Sequence, residues 1–149
     1  MMDKCLFTSN SGEWETPQAF FDKLDDEFHF DLDVCATAEN AKVARYFTKE
    51  QDGLAQSWAG SVAWCNPPYG KGIELWCQKC YESSLNGVTV VLLVPVRSST
   101  KWFHDWVLGK AELRFVRGCL HFSEAKHAAP FPSLVAVYRP TGHVPIGGG

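Results

Sequence analysis

The run Val88-Thr89-Val90-Val91-Leu92-Leu93-Val94 decides how this sequence is read. It is built of β-branched and leucine residues, with none of the polar alternation of a strand that has one wet face. Such a run fits a central strand buried on both faces, in a parallel sheet covered by helices. Its neighbours supply the helices. Residues 72–85 carry Ile73, Trp76, Cys77, Cys80 and Tyr81 at helical spacing and stop at Asn86-Gly87. Beyond the run, Ser98, Ser99 and Thr100 offer caps for a helix with Trp102, Phe103, Trp106 and Val107 on its core face.

Further out the alternation continues. Ser61–Cys65 reads as a strand running into Asn66-Pro67-Pro68-Tyr69-Gly70, where two prolines forbid ladder and helix alike. Phe28, Phe30, Leu32 and Val34 alternate with polar residues and predict a strand ending in Cys35-Ala36-Thr37. Before it, Thr16 reads as an N-cap and Pro17 as the first helical residue, with Phe20, Phe21, Leu24 and Phe28 on the buried face. Residues 40–47 read as a short helix or irregular segment, and Asp52-Gly53 as a turn. Glu112–Val116, Leu120–Phe122 and Leu134–Arg139 predict the remaining strands. The expected architecture is an α/β three-layer sandwich: one domain over residues 14–140, with a loose arm at 1–13 and a tail at 141–149. In such sheets ligands sit beyond the carboxyl ends of the strands. Those ends carry Asp33-Val34-Cys35-Ala36 and Asn66-Pro67-Pro68-Tyr69.

Composition bounds the rest. The 149 residues are 46% hydrophobic and 21% charged, an ordinary globular mixture for one domain. The longest apolar run, Val88–Val96, is too short to span a bilayer, so no membrane partner is expected. The N-terminus lacks the apolar core of a secretion signal, which predicts the cytosol and reduced thiols. Cys77-x-x-Cys80 lies within a helical pattern that turns both thiols into the core, and no second such pair exists, so no metal is expected. Neither GxGxxG nor GxxxxGK[ST] occurs, which removes the main support for nicotinamide or P-loop chemistry. The net charge of −3 hides a division: residues 1–60 carry 5 Lys/Arg against 12 Asp/Glu, residues 61–149 carry 9 against 5. A basic half is suited to facing phosphates.

Asn66-Pro67-Pro68-Tyr69 matches the [DNS]-P-P-[YFW] signature of amino-group methyltransferases that use S-adenosylmethionine. An exocyclic amine on adenine is a poor nucleophile, because its lone pair is delocalised into the ring. The Asn66 side-chain oxygen and the Pro67 carbonyl can each accept one of its N–H groups. That aims the lone pair at the methyl and stabilises the charge that develops. The prolines hold the carbonyl still, and Tyr69 can stack on the purine. Asn66 cannot ionise, so it is no general base.

With Trp14-Glu15-Thr16-Pro17, Phe30–Ala36, Asn40-Ala41-Lys42, Asp52-Gly53-Leu54, Trp64–Tyr69, Val94-Pro95-Val96-Arg97 and Ala129–Ser133 in this order, the chain resembles the small phage and prophage DNA adenine-N6 methyltransferases. The resemblance implies a Rossmann-like methyltransferase fold, mostly parallel with an antiparallel strand near the C-terminus. It implies S-adenosyl-L-methionine as cofactor and DNA as partner. The catalytic residues would be Asn66, Pro67, Pro68 and Tyr69. Trp14, Thr16 and Pro17 would lie at the methionine end of the cofactor, Asp33 near its amine, Cys35 and Ala36 beside it, Asn40 at the ribose and Asp52 at the adenine. Lys71, Arg97, Lys101 and Arg117 are expected at the DNA, together with Arg114 and Lys126, and Phe131 would line the pocket of an extruded base.

Two departures stand out. Cys35-Ala36-Thr37 replaces the glycine-rich loop usual in such enzymes. Only ten residues follow Arg139, where a target-recognition domain would come. Sequence reading is then left to loops of the core or to a second subunit in a homodimer, or else it is weak. Methylation of RNA adenine or of a protein glutamine uses the same amine-gripping loop and stays open. So does a silent binding module of this fold. Cytosine-N4 methylation fits less well, since serine usually stands there in place of Asn66. Protection from restriction in a bacterial host is a family-level expectation.

Overall fold

Strand β3 (Thr89–Pro95) runs through the middle of a five-stranded sheet, as its apolar run predicts. The computed structural model describes residues 16–118, 120 and 131–140. Successive side chains of a strand point to opposite faces. Val90, Leu92 and Val94 accordingly enter one buried cluster and Val91 and Leu93 another. Helices α2 (Ile73–Leu85) and α3 (Lys101–Trp106) close the first face, and α1 (Gln18–Phe28) closes the second. The result is the expected helix–sheet–helix sandwich. Cys77 and Cys80 are fully buried in the first cluster, where the helical spacing puts them. Among the described residues no helix is long and apolar enough to cross a membrane.

The strand order is β1-β2-β3-β5-β4, with β1 at Leu32–Asp33, β2 at Val62–Cys65, β4 at Glu112–Phe115 and β5 at Ser133–Tyr138. β1, β2 and β3 pair in parallel, and β5 is antiparallel to both β3 and β4. One edge of the sheet therefore gathers the ends of β1 to β4 and the start of β5. Pro95 pairs with Ser133 there, and the Val96 amide donates to the Pro132 carbonyl at 2.9 Å.

Two boundaries differ from the sequence reading. The strand expected from Phe28 shrinks to Leu32–Asp33, because α1 runs on to Phe28. His29 then closes the helix in the left-handed region (φ 58°), its amide donating to the Asp25 carbonyl, while Phe30 N–H donates to the Asp25 carboxylate at 2.8 Å. The chain cannot extend until it has left that double cap. At the other end α1 starts at Gln18, with Pro17 as cap residue and no side-chain cap bond. Thr16 is not the cap, because its hydroxyl is spent elsewhere. Residues 40–47 form no helix, and part of the segment returns beside β1. Asp33 N–H donates to the Arg45 carbonyl, and the Phe47 and Ala36 amides donate to the Asp33 and Phe47 carbonyls. Leu120 carries no strand, and the remainder of the strand expected at Leu120–Phe122 lies outside the described residues, as do the arm, the tail, Trp14 and Lys126.

The far end of α1 is tied to the sheet by charge. Arg114 on β4 holds both carboxylate oxygens of Glu27, at 2.7 and 2.8 Å, and one of Glu112 at 2.7 Å. Arg139 reaches Glu112 at 2.5 Å, and both guanidinium groups lie over the Phe28 ring. This corrects the expectation for Arg114: its guanidinium is engaged in a structural network.

Candidate active site

At the carboxyl ends of β1 and β2, on the α1 side of the sheet, a cleft of about 510 Å³ opens to solvent. Its lining includes Thr16, Asp33, Cys35, Ala36, Asn40, Asn66 and Pro68, all expected at the site.

Asp33 ends β1 and is 2% exposed. Its two carboxylate oxygens accept from the backbone amides of Lys42 (3.1 Å) and Cys35 (3.3 Å). Burial pushes its pKa up to about 6, against the opposing pull of those two amides. The positive charge of Lys42 offsets a further part of that rise. The loop after it is closed by Asn40, whose side-chain oxygen accepts from Thr37 N–H at 2.7 Å while its own amide donates to Thr37 Oγ1 at 3.1 Å. Beneath the loop lies Gly53, in a 3-10 turn over Gly53–Ala55. A methyl group there would sit 2.1 Å from the Val34 carbonyl oxygen, so only glycine lets the two backbones approach this closely. Trp58 fixes that turn from the core, its indole N–H donating to the Gly53 carbonyl at 2.9 Å.

Asn66 follows β2 on the same face as Trp64, at the inner wall of the cleft. Its amide nitrogen donates to Thr16 Oγ1 at 2.8 Å, and its oxygen accepts from the Tyr69 hydroxyl at 3.1 Å. That hydroxyl also lies 3.3 Å from the Leu93 carbonyl oxygen. Burial raises the Tyr69 phenol far above its ordinary pKa, so it stays a donor. The Tyr69 ring meets Phe131 edge to face, centroids 5.5 Å apart. Phe131 precedes β5, which the antiparallel pairing returns to this edge.

A family profile described as DNA N-6-adenine-methyltransferase (Dam) matches residues 6–140. The chain belongs to that family. A DNA N-6-adenine-methyltransferase of Haemophilus phage HP1 is 36% identical over 110 residues, covering 72% of this chain and 64% of its own length. One of Escherichia phage T1 is 27% identical over 109 residues, covering 72% of this chain and 45% of its own length. The chain thus spans about half to two thirds of these curated relatives.

Not every expected residue meets at the cleft. Pro67 is buried and Pro17 half-buried, and neither these nor Tyr69 and Phe131 line it. Asp52 is absent from the lining as well; in the left-handed region (φ 57°), its carboxylate caps the 3-10 turn by accepting from Leu54 N–H at 3.2 Å. Lys71, Arg97 and Arg117 are exposed just beyond β2, β3 and β4. Lys101 is exposed too, and pairs with Asp105 one helical turn on. Thr37, Lys42, Lys49 and Trp64 line the cleft without having been given a role. Trp64 was within reach of the period-two pattern that places Asn66. Lys49 carries no local signal at all. Among the described residues there is no group of three or more side chains able to hold a metal.

Proposed function

We propose that this chain transfers a methyl group from S-adenosyl-L-methionine to the exocyclic N6 amine of adenine in DNA. The observation that carries the reading is the position of Asn66. It leads the Asn66-Pro67-Pro68-Tyr69 loop and faces the same cleft as the buried carboxylate of Asp33.

The residues present suit the cofactor. Asp33 offers its charge to a cationic amine, Cys35 and Ala36 offer close backbone, and Asn40 and Thr16 offer polar atoms along the wall. When bound, S-adenosylmethionine supplies an electrophilic methyl on a sulfonium sulfur. The chain's own part is to orient the acceptor. The Asn66 oxygen accepts one N–H of the target amine. The Pro67 carbonyl accepts the other. Two acceptors fix the amine and stabilise the positive charge that grows on nitrogen. Tyr69 and Phe131, whose rings meet edge to face beside the Asn66 loop, offer aromatic faces on which an extruded base stacks. Lys71, Arg97 and Arg117, each beyond a strand end on this edge, take the phosphates.

The test is Asn66→Ala. Methyl transfer to DNA is expected to fall by about 10²-fold or more while S-adenosylmethionine still binds. Full turnover in that variant overturns the assignment.

A further inference from the structure

Among the described residues, one side-chain oxygen is buried without a hydrogen-bond partner, the hydroxyl of Ser133. The residue is fully buried. It opens β5 at the active-site edge, where it pairs with Pro95 and its carbonyl accepts from Val116 N–H at 3.0 Å. Neither neighbour brings a polar side chain. A buried hydroxyl left alone is costly, so this one calls for a partner from outside the chain. Ser133 shares its sheet face with Val135 and Val137, which pack in one cluster with Trp64, and Asn66 follows Trp64 on that face. Asn66 continues the register that sets Cys65 beside Leu92, so it lies level with Leu93, which pairs with Val135. Ser133 lies one strand further over and two residues further out. Two strand spacings of about 4.8 Å and one step of about 6.7 Å put roughly 12 Å between the two Cα positions. That separation suits two side chains reaching different edges of one purine. The hydroxyl also lies close to the surface, since Phe131 is half-buried and Pro132 exposed.

We propose that the Ser133 hydroxyl donates a hydrogen bond to a ring nitrogen of the extruded adenine, on an edge away from the amine that Asn66 holds. The inference rests on the methyl transfer to DNA adenine proposed above and adds a residue that reads the base. Stacking on Tyr69 and Phe131 is open to any base, because every base has a π-face. A hydrogen bond to a ring nitrogen asks for one particular edge. The ring nitrogens of adenine accept and do not donate, and the hydroxyl has a proton to give. Entry of the base past Phe131 uncovers the hydroxyl and supplies the partner that the fold lacks. The free chain bears the unmade bond, and the complex with DNA recovers it.

Three measurements on the full chain, each comparing Ser133→Ala with the parent, test this. In thermal unfolding, removing an unpartnered hydroxyl is expected to leave Tm unchanged or to raise it. A lower Tm means that the hydroxyl is satisfied within the free chain, and it overturns the proposal. In methyl transfer, kcat/KM for DNA is expected to fall about 3- to 10-fold, with a change in the Kd of S-adenosylmethionine below about twofold, since Ser133 is not among the residues lining the cleft. An unchanged kcat/KM, or a donor affinity that falls as far as the rate, overturns it. The third measurement uses DNA whose adenine is replaced by 1-deaza-, 3-deaza- or 7-deazaadenine, each lacking one ring nitrogen. One of the three is expected to slow the parent about as much as Ser133→Ala does, and to slow the variant little further. Equal costs in parent and variant for all three analogues overturn the proposal. The two readings fail separately. A parent chain that puts no methyl group on DNA adenine removes the proposed function, whereas a parent that makes N6-methyladenine and responds to every analogue as Ser133→Ala does removes only the role of Ser133.

Discussion

Asp33 sets the pH behaviour of the site. Its pKa is raised by burial to about 6 from an ordinary 3.8. In the donor-free chain its ionised form opposes the fold. Its contribution to stability is therefore most favourable below about pH 4 and is lost as pH rises through 6. Binding of a cationic amine has the opposite sign, because it needs the carboxylate ionised. Affinity for S-adenosylmethionine is expected to be level above about pH 7. It should fall as pH drops through 6, by up to about tenfold per pH unit. Calorimetric titration between pH 5 and 8 checks this, and an affinity that is flat across that range contradicts the role given to Asp33. This residue was legible in the sequence, since it ends a strand in an α/β pattern. The double occupation of Asn66 was not. Its bond to Thr16 joins positions whose meeting depends on how α1 docks over the end of β2, and local spacing carries no information about that.

At the scale of elements, the loop after β1 depends on two close supports. Gly53→Ala would push a methyl group into the Val34 carbonyl oxygen. A destabilisation of about 1–3 kcal/mol is expected, with weaker donor binding, because the displaced backbone leads directly into Cys35 and Ala36. Thermal unfolding and donor titration of the variant measure both. The charged network at the end of α1 is a milder tie. Glu27 and Glu112 are held below their ordinary pKa mainly by hydrogen bonds from Arg114 and Arg139 respectively. Their contribution is present above about pH 4.5 and lost as pH falls through the lowered values. Because these groups are largely solvated, Glu27→Gln is expected to cost only about 0.5–1 kcal/mol at pH 7, and less in high salt. Equal stability of variant and parent at low salt contradicts it. The helices and β3 were legible because their apolar periods are long. The strand after Phe28 was overread because the alternation of Phe28, Phe30, Leu32 and Val34 persists through a helix end, and the Asp25 cap that interrupts it is a polar signal.

Across the whole molecule, the sheet order places the cleft, the Asn66 loop and the exposed cations on one edge. Parallel β1 to β3 and the returning β5 make this arrangement, and it explains how Phe131, distant in sequence, reaches Tyr69. The α/β sheet and the edge where its strand ends gather were legible from the order of strand and helix patterns, while the antiparallel strand was implied by the family resemblance alone. Which cations remain exposed was not, since Arg114 is claimed in part by Glu27, 87 residues away in the chain. Replacing Lys71, Arg97 and Arg117 by glutamine together is expected to weaken DNA binding at low salt and to lower the slope of log K against log salt by about 2–3. An unchanged slope removes these residues from the interface. The central claim is tested most directly by supplying tritiated S-adenosylmethionine with DNA, RNA or protein and separating the labelled products as nucleosides or amino acids. The account predicts label in DNA as N6-methyladenine; N4-methylcytosine, or label confined to RNA or protein, contradicts it.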